Sequence, residues 1–187
     1  YDPEKNNLNL NMCSSTSAED VRASLKRIKK IKLSKTSNEI LENILLSYSF
    51  PPQGMAEKEF TSLKINWLVE NNRSELLENF LKQNEKFDSK DKAVQFLVDE
   101  NISQVNIKEG CKKIKFIRSS IKDSYLEKFK IYCLVLDNKK AEAQLLLDLL
   151  REQKKSDKFF DDKRNFLLGS SSKTSEKINE KNLLNFY

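Results

Sequence analysis

Residues 63–72 (LKINWLVENN) recur as residues 129–138 (FKIYCLVLDN), at an offset of 66, and this internal repeat is the strongest structural signal in the chain. Five of the ten aligned positions are identical: Lys, Ile, Leu, Val and the closing Asn. A third segment, residues 97–103 (LVDENIS), matches residues 68–74 (LVENNRS) at an offset of 29, which leaves 37 to the next copy. The mean offset of 33 is typical of arrays in which each unit is a pair of helices.

The segments around this repeat have the apolar spacing of amphipathic helices, and no useful length shows the period-2 alternation of a strand. Tandem Pro51 and Pro52 end the preceding helix, and no Pro follows them. After this break we predict helices over residues 56–70, 74–83, 89–100, 103–117, 124–136, 139–154 and 158–168.

Two earlier helices are predicted from capping boxes, in which a Thr hydroxyl caps an amide and a Glu three residues later reaches back. The boxes begin at Thr16 and at Thr36. The second helix carries an apolar face formed by Ile40, Leu41, Ile44, Leu45 and Tyr48.

We therefore predict an all-α chain of about nine helices, arranged as a right-handed solenoid of antiparallel hairpins. One hairpin cannot bury its apolar face alone, and stacked neighbours complete the core. The predicted organisation is an extended lead-in over 1–15, a helix pair over 16–50, an array of about three hairpins over 56–168, and a flexible tail over 169–187.

Residues 129–153 resemble a tetratricopeptide-like repeat, with the small residues Ala141 and Ala143 at the start of the second helix. That resemblance implies that first helices line a surface for a peptide or partner helix. A second likeness rests on residues 2–16 (DPE to MCSST) and 45–54 (LLSYSFPPQG). These look like the C-terminal part of a group of uncharacterised alphaproteobacterial repeat proteins, which implies a helical array and no known activity.

The composition argues against most enzyme chemistry. The 187 residues include no His and only three Gly, which removes His-based nucleophile systems, His zinc sites and glycine-lined phosphate sites. We expect no catalytic residue, no cofactor, no metal and no small-molecule substrate, and therefore a protein that is not an enzyme. No run of 18 apolar residues is present, so no membrane span is predicted.

The three cysteines are Cys13, Cys111 and Cys133, an odd number without a C-x-x-C spacing. We expect no disulfide and interpret Cys111 and Cys133 as small core residues. Cys133 aligns with Trp67 in the repeat, so both are predicted to be buried in equivalent layers. The alternative for Trp67 is an aromatic binding platform at the surface.

The best functional interpretation is a non-enzymatic protein-interaction scaffold. The candidate partner-binding residues are Ser62 and Asn66 on the more polar side of the helix over 56–70, with Lys128 and Tyr132 as their equivalents at an offset of 66.

The alternative is a nucleic-acid-binding module. The formal net charge is +6, and residues 22–35 and 108–122 are two basic patches on an otherwise mildly acidic chain. Because 28 of the 34 cations are Lys, and Arg is the side chain that reads bases and phosphates bidentately, we expect such binding to be weak. Its candidate residues are Lys26, Lys29, Lys30, Lys112, Lys113 and Lys115.

Overall fold

The computed structural model describes residues 1–87, 89–117, 121–167 and 169, and these residues form an all-helical chain. They contain nine α-helices and two short 3-10 turns, and no strand beyond one isolated bridge between Ser17 and Gln53. The all-α prediction is confirmed. The chain divides between Asn72 and Arg73 into two compact units, here called unit 1 and unit 2. The predicted tail lies outside the described residues, apart from Gly169.

Unit 1 holds a 3-10 turn at Glu4–Asn6 and three helices, α1 (Ala18–Ile28), α2 (Lys35–Leu46) and α3 (Glu57–Glu70). Its core includes Ala18, Met55 and Phe60, with Val21 and Leu63 packed against them.

The two predicted capping boxes are wrong by one or two residues. Ser17 caps α1 by accepting from the Asp20 backbone N–H at 3.0 Å. Thr16 lies one residue before this cap, and its carbonyl accepts from Gln53 N–H at 2.9 Å. Ser34 caps α2 by accepting from Ser37 N–H at 3.1 Å, so this helix begins before Thr36.

The predicted apolar face of α2 is half wrong. Leu45 is buried and Leu41 is half-buried. Ile40, Ile44 and Tyr48, in contrast, are 55%, 43% and 64% exposed. Ile40 and Ile44 form a separate row about 100° around the helix from Leu41 and Leu45. Tyr48 lies beyond the end of α2, because the chain is already extended at Ser47.

Unit 2 holds six helices: α4 (Ser74–Gln83), α5 (Asp91–Ser103), α6 (Ile107–Lys113), α7 (Ser124–Leu136), α8 (Lys140–Glu152) and α9 (Lys158–Leu167). A 3-10 turn, Ile114–Phe116, continues α6. Within this unit α5 packs against α6 and α7 packs against α8, so two helical pairs follow each other along the chain. The bounds predicted for α4 and α7 are correct, and those of the other helices differ by one to four residues.

The turns that follow α3, α5 and α7 recur at a constant spacing along the chain. Asn72, Val105 and Asn138 all have a left-handed backbone, with φ of 53°, 60° and 58°, and successive members follow at an offset of 33. Each donates its N–H to the carbonyl three residues earlier, at 2.9–3.1 Å. The Leu-Val pairs recur unevenly, at offsets of 29 and 37, whereas the turns do not, because the turn of the middle segment lies at Val105 and not at Asn101.

Burial recurs with the same period. At four register positions all three residues are buried, and these sets are Phe60/Ala93/Leu126, Ile65/Val98/Ile131, Leu77/Gly110/Ala143 and Leu81/Ile114/Leu147. The corresponding helices thus bury corresponding faces. Trp67 and Cys133, aligned by the repeat, are also both buried, at 7% and 8% exposure, as predicted.

The expectation of free cysteines is wrong for two of the three. Cys111 of α6 and Cys133 of α7 form a disulfide, with their Cα atoms 5.6 Å apart. The packing of α6 beside α7 brings together residues that are separated by 22 positions, which the sequence spacing does not reveal. Cys13 is a free, half-buried thiol.

Candidate functional site

A groove in unit 1 is the candidate binding site. It is lined by α1, α2 and α3 and encloses about 700 Å³, a size common for ligand and peptide sites. Its apolar wall is formed by Leu25, Ile28, Ile31, Leu33, Leu41, Leu63 and Trp67. Of these, Trp67 is almost fully buried, so the interpretation of Trp67 as a core residue is confirmed and only a small part of the ring reaches the groove.

Polar side chains surround this apolar wall. They are the cations Arg22, Lys26, Lys29 and Lys32, the amides Asn38, Asn66 and Asn71, and the single carboxylate Glu70. The Asn71 side-chain amide donates to the Trp67 carbonyl at 2.8 Å and so closes the end of α3.

Two of the four cations are held by ion pairs between α1 and α3. Arg22 lies 2.6 Å from Glu59, and Lys29 lies 2.7 Å from Glu70. Lys26 and Lys32 have no carboxylate within 4.0 Å in the part of the chain that the structure describes. The groove therefore carries an uncompensated positive charge beside an apolar wall.

Only one of the four predicted partner-binding residues belongs to this groove. Asn66 lines it, whereas Ser62 does not and donates its hydroxyl to the Lys58 carbonyl at 2.8 Å. In unit 2, Lys128 is 2.5 Å from Asp157 and its ammonium is 5.7 Å from the centroid of the Phe160 ring.

Lys128 and Tyr132 both make contacts with other side chains of unit 2. Burial by itself raises the pKa of Asp157, but hydrogen bonds from Lys128 and the Phe160 backbone outweigh it and hold that pKa below its usual value. Tyr132 stacks on Phe129, with ring centroids 6.5 Å apart.

The first basic patch lies in unit 1 and the second lies in unit 2. In the first, Lys26 and Lys29 line the groove, whereas Lys30 is exposed outside it. In the second, Lys112 pairs with Glu109, and Lys113 lies 2.7 Å from Glu78 with only 13% of its side chain exposed.

Lys112 and Lys113 are thus each paired with a carboxylate. The third candidate lysine of the second patch, Lys115, is exposed. Burial alone raises the pKa of Glu78, yet hydrogen bonds from Lys113 and Lys82 lower it overall, as expected of a carboxylate held between two cations. Arg118, predicted to belong to this patch, lies outside the described residues.

Lys64 is a buried cation in the core of unit 1. Its ammonium donates to the Ser47 carbonyl at 3.0 Å and lies 4.4 Å from the centroid of the Phe60 ring. Burial lowers the pKa of Lys64 to about 8, because the charged form loses its hydration.

Within the described residues, no group of three or more His, Cys, Asp or Glu side chains is placed to hold a metal ion. In the same part of the chain, no helix is long and apolar enough to cross a membrane. Comparisons with protein-family models, curated proteins and solved structures find no match to this chain.

Sequence reasoning missed the apolar wall of the groove. Leu25 and Ile28 belong to the apolar stripe of α1, and Leu41 belongs to that of α2, so each looked like a core residue. The signal that could have indicated a groove is the basic set Arg22, Lys26 and Lys29 on the same side of α1, because charged side chains are rarely buried in a core.

Proposed function

We propose that this chain is a non-enzymatic protein-interaction scaffold that combines tetratricopeptide-like helical hairpins with a groove, in unit 1, for a peptide or helix of a partner protein. The observation that carries the proposal is the groove in unit 1. It combines an apolar wall with unpaired cations, and it includes Asn66, which the repeat-based argument assigns to partner binding. An apolar surface bordered by a few polar groups is the usual composition of a peptide-recognition groove.

The architecture in the proposal is a right-handed solenoid of antiparallel hairpins. It is supported by the left-handed turns that recur at a constant offset and by the equivalent buried positions. In unit 2, α5 pairs with α6, α6 also contacts α7, and α7 pairs with α8. Contacts between successive neighbours are those that stacked hairpins require.

A peptide-display experiment on the whole chain tests this function. Peptides selected from a random library are measured by fluorescence polarisation against the wild type, Ile31→Asp and Ile40→Asp. Ile31 lies in the groove and is 59% exposed, whereas Ile40 lies outside it and is 55% exposed, so both variants should fold.

We expect Ile31→Asp to weaken the selected peptides about tenfold, because it places a charge in the apolar wall. Ile40→Asp should leave their affinity unchanged. The proposal is contradicted if no peptide binds in the micromolar range, or if both variants have the same effect.

A further inference from the structure

The groove in unit 1 has a charge pattern that selects among partners. Residues 22, 25, 26 and 29 lie one to two turns apart on one face of α1, so cations alternate with an apolar side chain along the groove. Arg22 and Lys29 are tied to carboxylates of α3. Lys26, one turn from each of them, is not.

The paired and the unpaired cations of the groove have different roles. The outer pairs, Arg22 with Glu59 and Lys29 with Glu70, connect the α1 segment to α3. Lys26 between them, and Lys32 beyond the end of α1, keep their charge available for a ligand. A ligand carboxylate near these ammonium groups would gain more from them than one near an already paired cation.

We infer that the groove takes an acidic amphipathic helix of a partner protein, and this inference rests on the proposed function. The helix would place apolar anchors at i, i+3 or i+4, and i+7 against the apolar wall. Carboxylates flanking those anchors would lie beside Lys26 and Lys32. Asn38, whose amide donates to the Leu33 carbonyl at 3.4 Å, and Asn66 also line the groove.

A nucleic acid fits this site less well than an acidic helix does. Single-stranded nucleic acids are commonly bound by stacking their bases on exposed aromatic faces, and Trp67, the aromatic residue that lines the groove, is 7% exposed. Aliphatic side chains form the rest of the wall, and burying them stabilises a complex only when the ligand is itself apolar.

The experiment uses three labelled synthetic peptides of about five helical turns. Two share the same leucine anchors and differ only in having Glu or Lys at the flanking positions. The third has the Glu composition with its leucines rearranged so that they form no single face. Binding is measured by polarisation on the full chain, and a labelled single-stranded DNA oligonucleotide is measured alongside.

A matched pair of double variants locates the charge effect. Lys26→Glu with Lys32→Glu reverses the two unpaired cations in the groove. Arg27→Glu with Lys30→Glu makes the same change in net charge on exposed residues of the same patch that lie outside the groove. The four residues are exposed and have no ion pair within the described chain, so all variants should fold alike.

We expect the regular Glu peptide to bind most tightly, and its affinity to fall as salt rises. The groove variant should weaken it about tenfold, and the control variant should weaken it less than about threefold. Equal binding of the Lys peptide, or equal effects of the two variants, would overturn the inference and leave the proposed function standing.

Three further outcomes distinguish a failure of the acidic-helix inference from a failure of the scaffold function. If display-selected peptides bind through Ile31 but the Glu peptide does not bind, the acidic-helix inference is wrong and the scaffold function is not. If no peptide of any kind binds, both fail. Tighter binding of the oligonucleotide, weakened equally by both double variants, would replace the peptide partner with a general polyanion surface.

Discussion

Gly110 of α6 lies directly against the ring of Phe129 of α7. A Cβ added to Gly110 would be 3.2 Å from Cζ of that ring and 3.4 Å from Cβ of Asn101. Phe129 is fully buried, so its ring has no solvent to move into. The register equivalents of Gly110 are Leu77 and Ala143, which shows that the ring of Phe129, and not the register position, requires glycine here.

Gly110→Val should therefore destabilise the protein, although valine is the better helix former. We expect the free energy of unfolding to fall by about 1–3 kcal/mol, the usual range for overpacking a dense core. Urea unfolding followed by far-UV circular dichroism measures it. Ala141→Val, at an exposed position of α8, is the control and should change the stability by about 0.5 kcal/mol or less. Unchanged stability of Gly110→Val would contradict the close approach.

The disulfide between Cys111 and Cys133 should stabilise unit 2. Closing a loop with a sequence separation of 22 is worth about 3 kcal/mol in the chain-entropy description. We expect a reductant to lower the unfolding midpoint of the wild type, and to have no effect on the Cys111→Ala/Cys133→Ala variant. In denaturant without reductant, alkylation should modify one thiol, that of Cys13, and three modified thiols would disprove the bond.

Trp67 should emit blue-shifted fluorescence in the native protein, because its indole is buried. Trp67→Ala should lower the free energy of unfolding by about 3–5 kcal/mol through the lost contacts and the cavity left behind. Tyr48→Ala is a suitable control, since Tyr48 is 64% exposed and its loss should have little effect. Emission typical of a hydrated indole would instead support the aromatic-platform interpretation.

Lys64 should make stability depend on pH in the alkaline range. Its pKa is about 8 in the folded chain and 10.5 in the unfolded one, so between these values the unfolded state binds more protons. Stability contributed by Lys64 therefore rises from pH 8 to 10.5, by roughly 3 kcal/mol in total, and below pH 8 the burial of its charge is fully unfavourable.

The measurement compares urea unfolding of the wild type and Lys64→Met at several pH values across this window. Met keeps an apolar stem but cannot titrate, so the difference between the two proteins isolates Lys64. We expect the free energy of unfolding of the wild type to increase relative to that of Lys64→Met as the pH rises. A constant difference would show that Lys64 remains protonated in the fold throughout.

Much of the helical architecture could be predicted because local signals were strong. The bounds of α4 and α7 follow from polar turn residues on both sides of a clear apolar stripe. The match between residues 97–103 and 68–74 aligns Asn101 with the turn residue Asn72, but the middle turn lies at Val105. In the structure the Asn101 side chain instead donates to the Leu97 carbonyl at 2.7 Å, within α5.

The groove and the disulfide could not be predicted because both depend on packing between helices. Lys26 and Asn66 were each singled out by separate arguments, and only the packing of α1 with α2 and α3 shows that they line one cavity. In the same way, Cys111 and Cys133 meet only because α6 lies beside α7. Periodicity within one helix carries no information on which helix will face it.

The positions of the two bonded cysteines relative to the turns have a consequence for any shortened form of the chain. Both lie between the left-handed residues Val105 and Asn138. Removing residues 106–138 would join one turn to the next in register and would take both half-cystines away together, so that Cys13 remains as the sole thiol. Removing residues 112–144, a segment of the same length, would instead leave Cys111 without its mate. Of these two deletions of one 33-residue period, only the removal of residues 106–138 avoids creating a new unpaired cysteine.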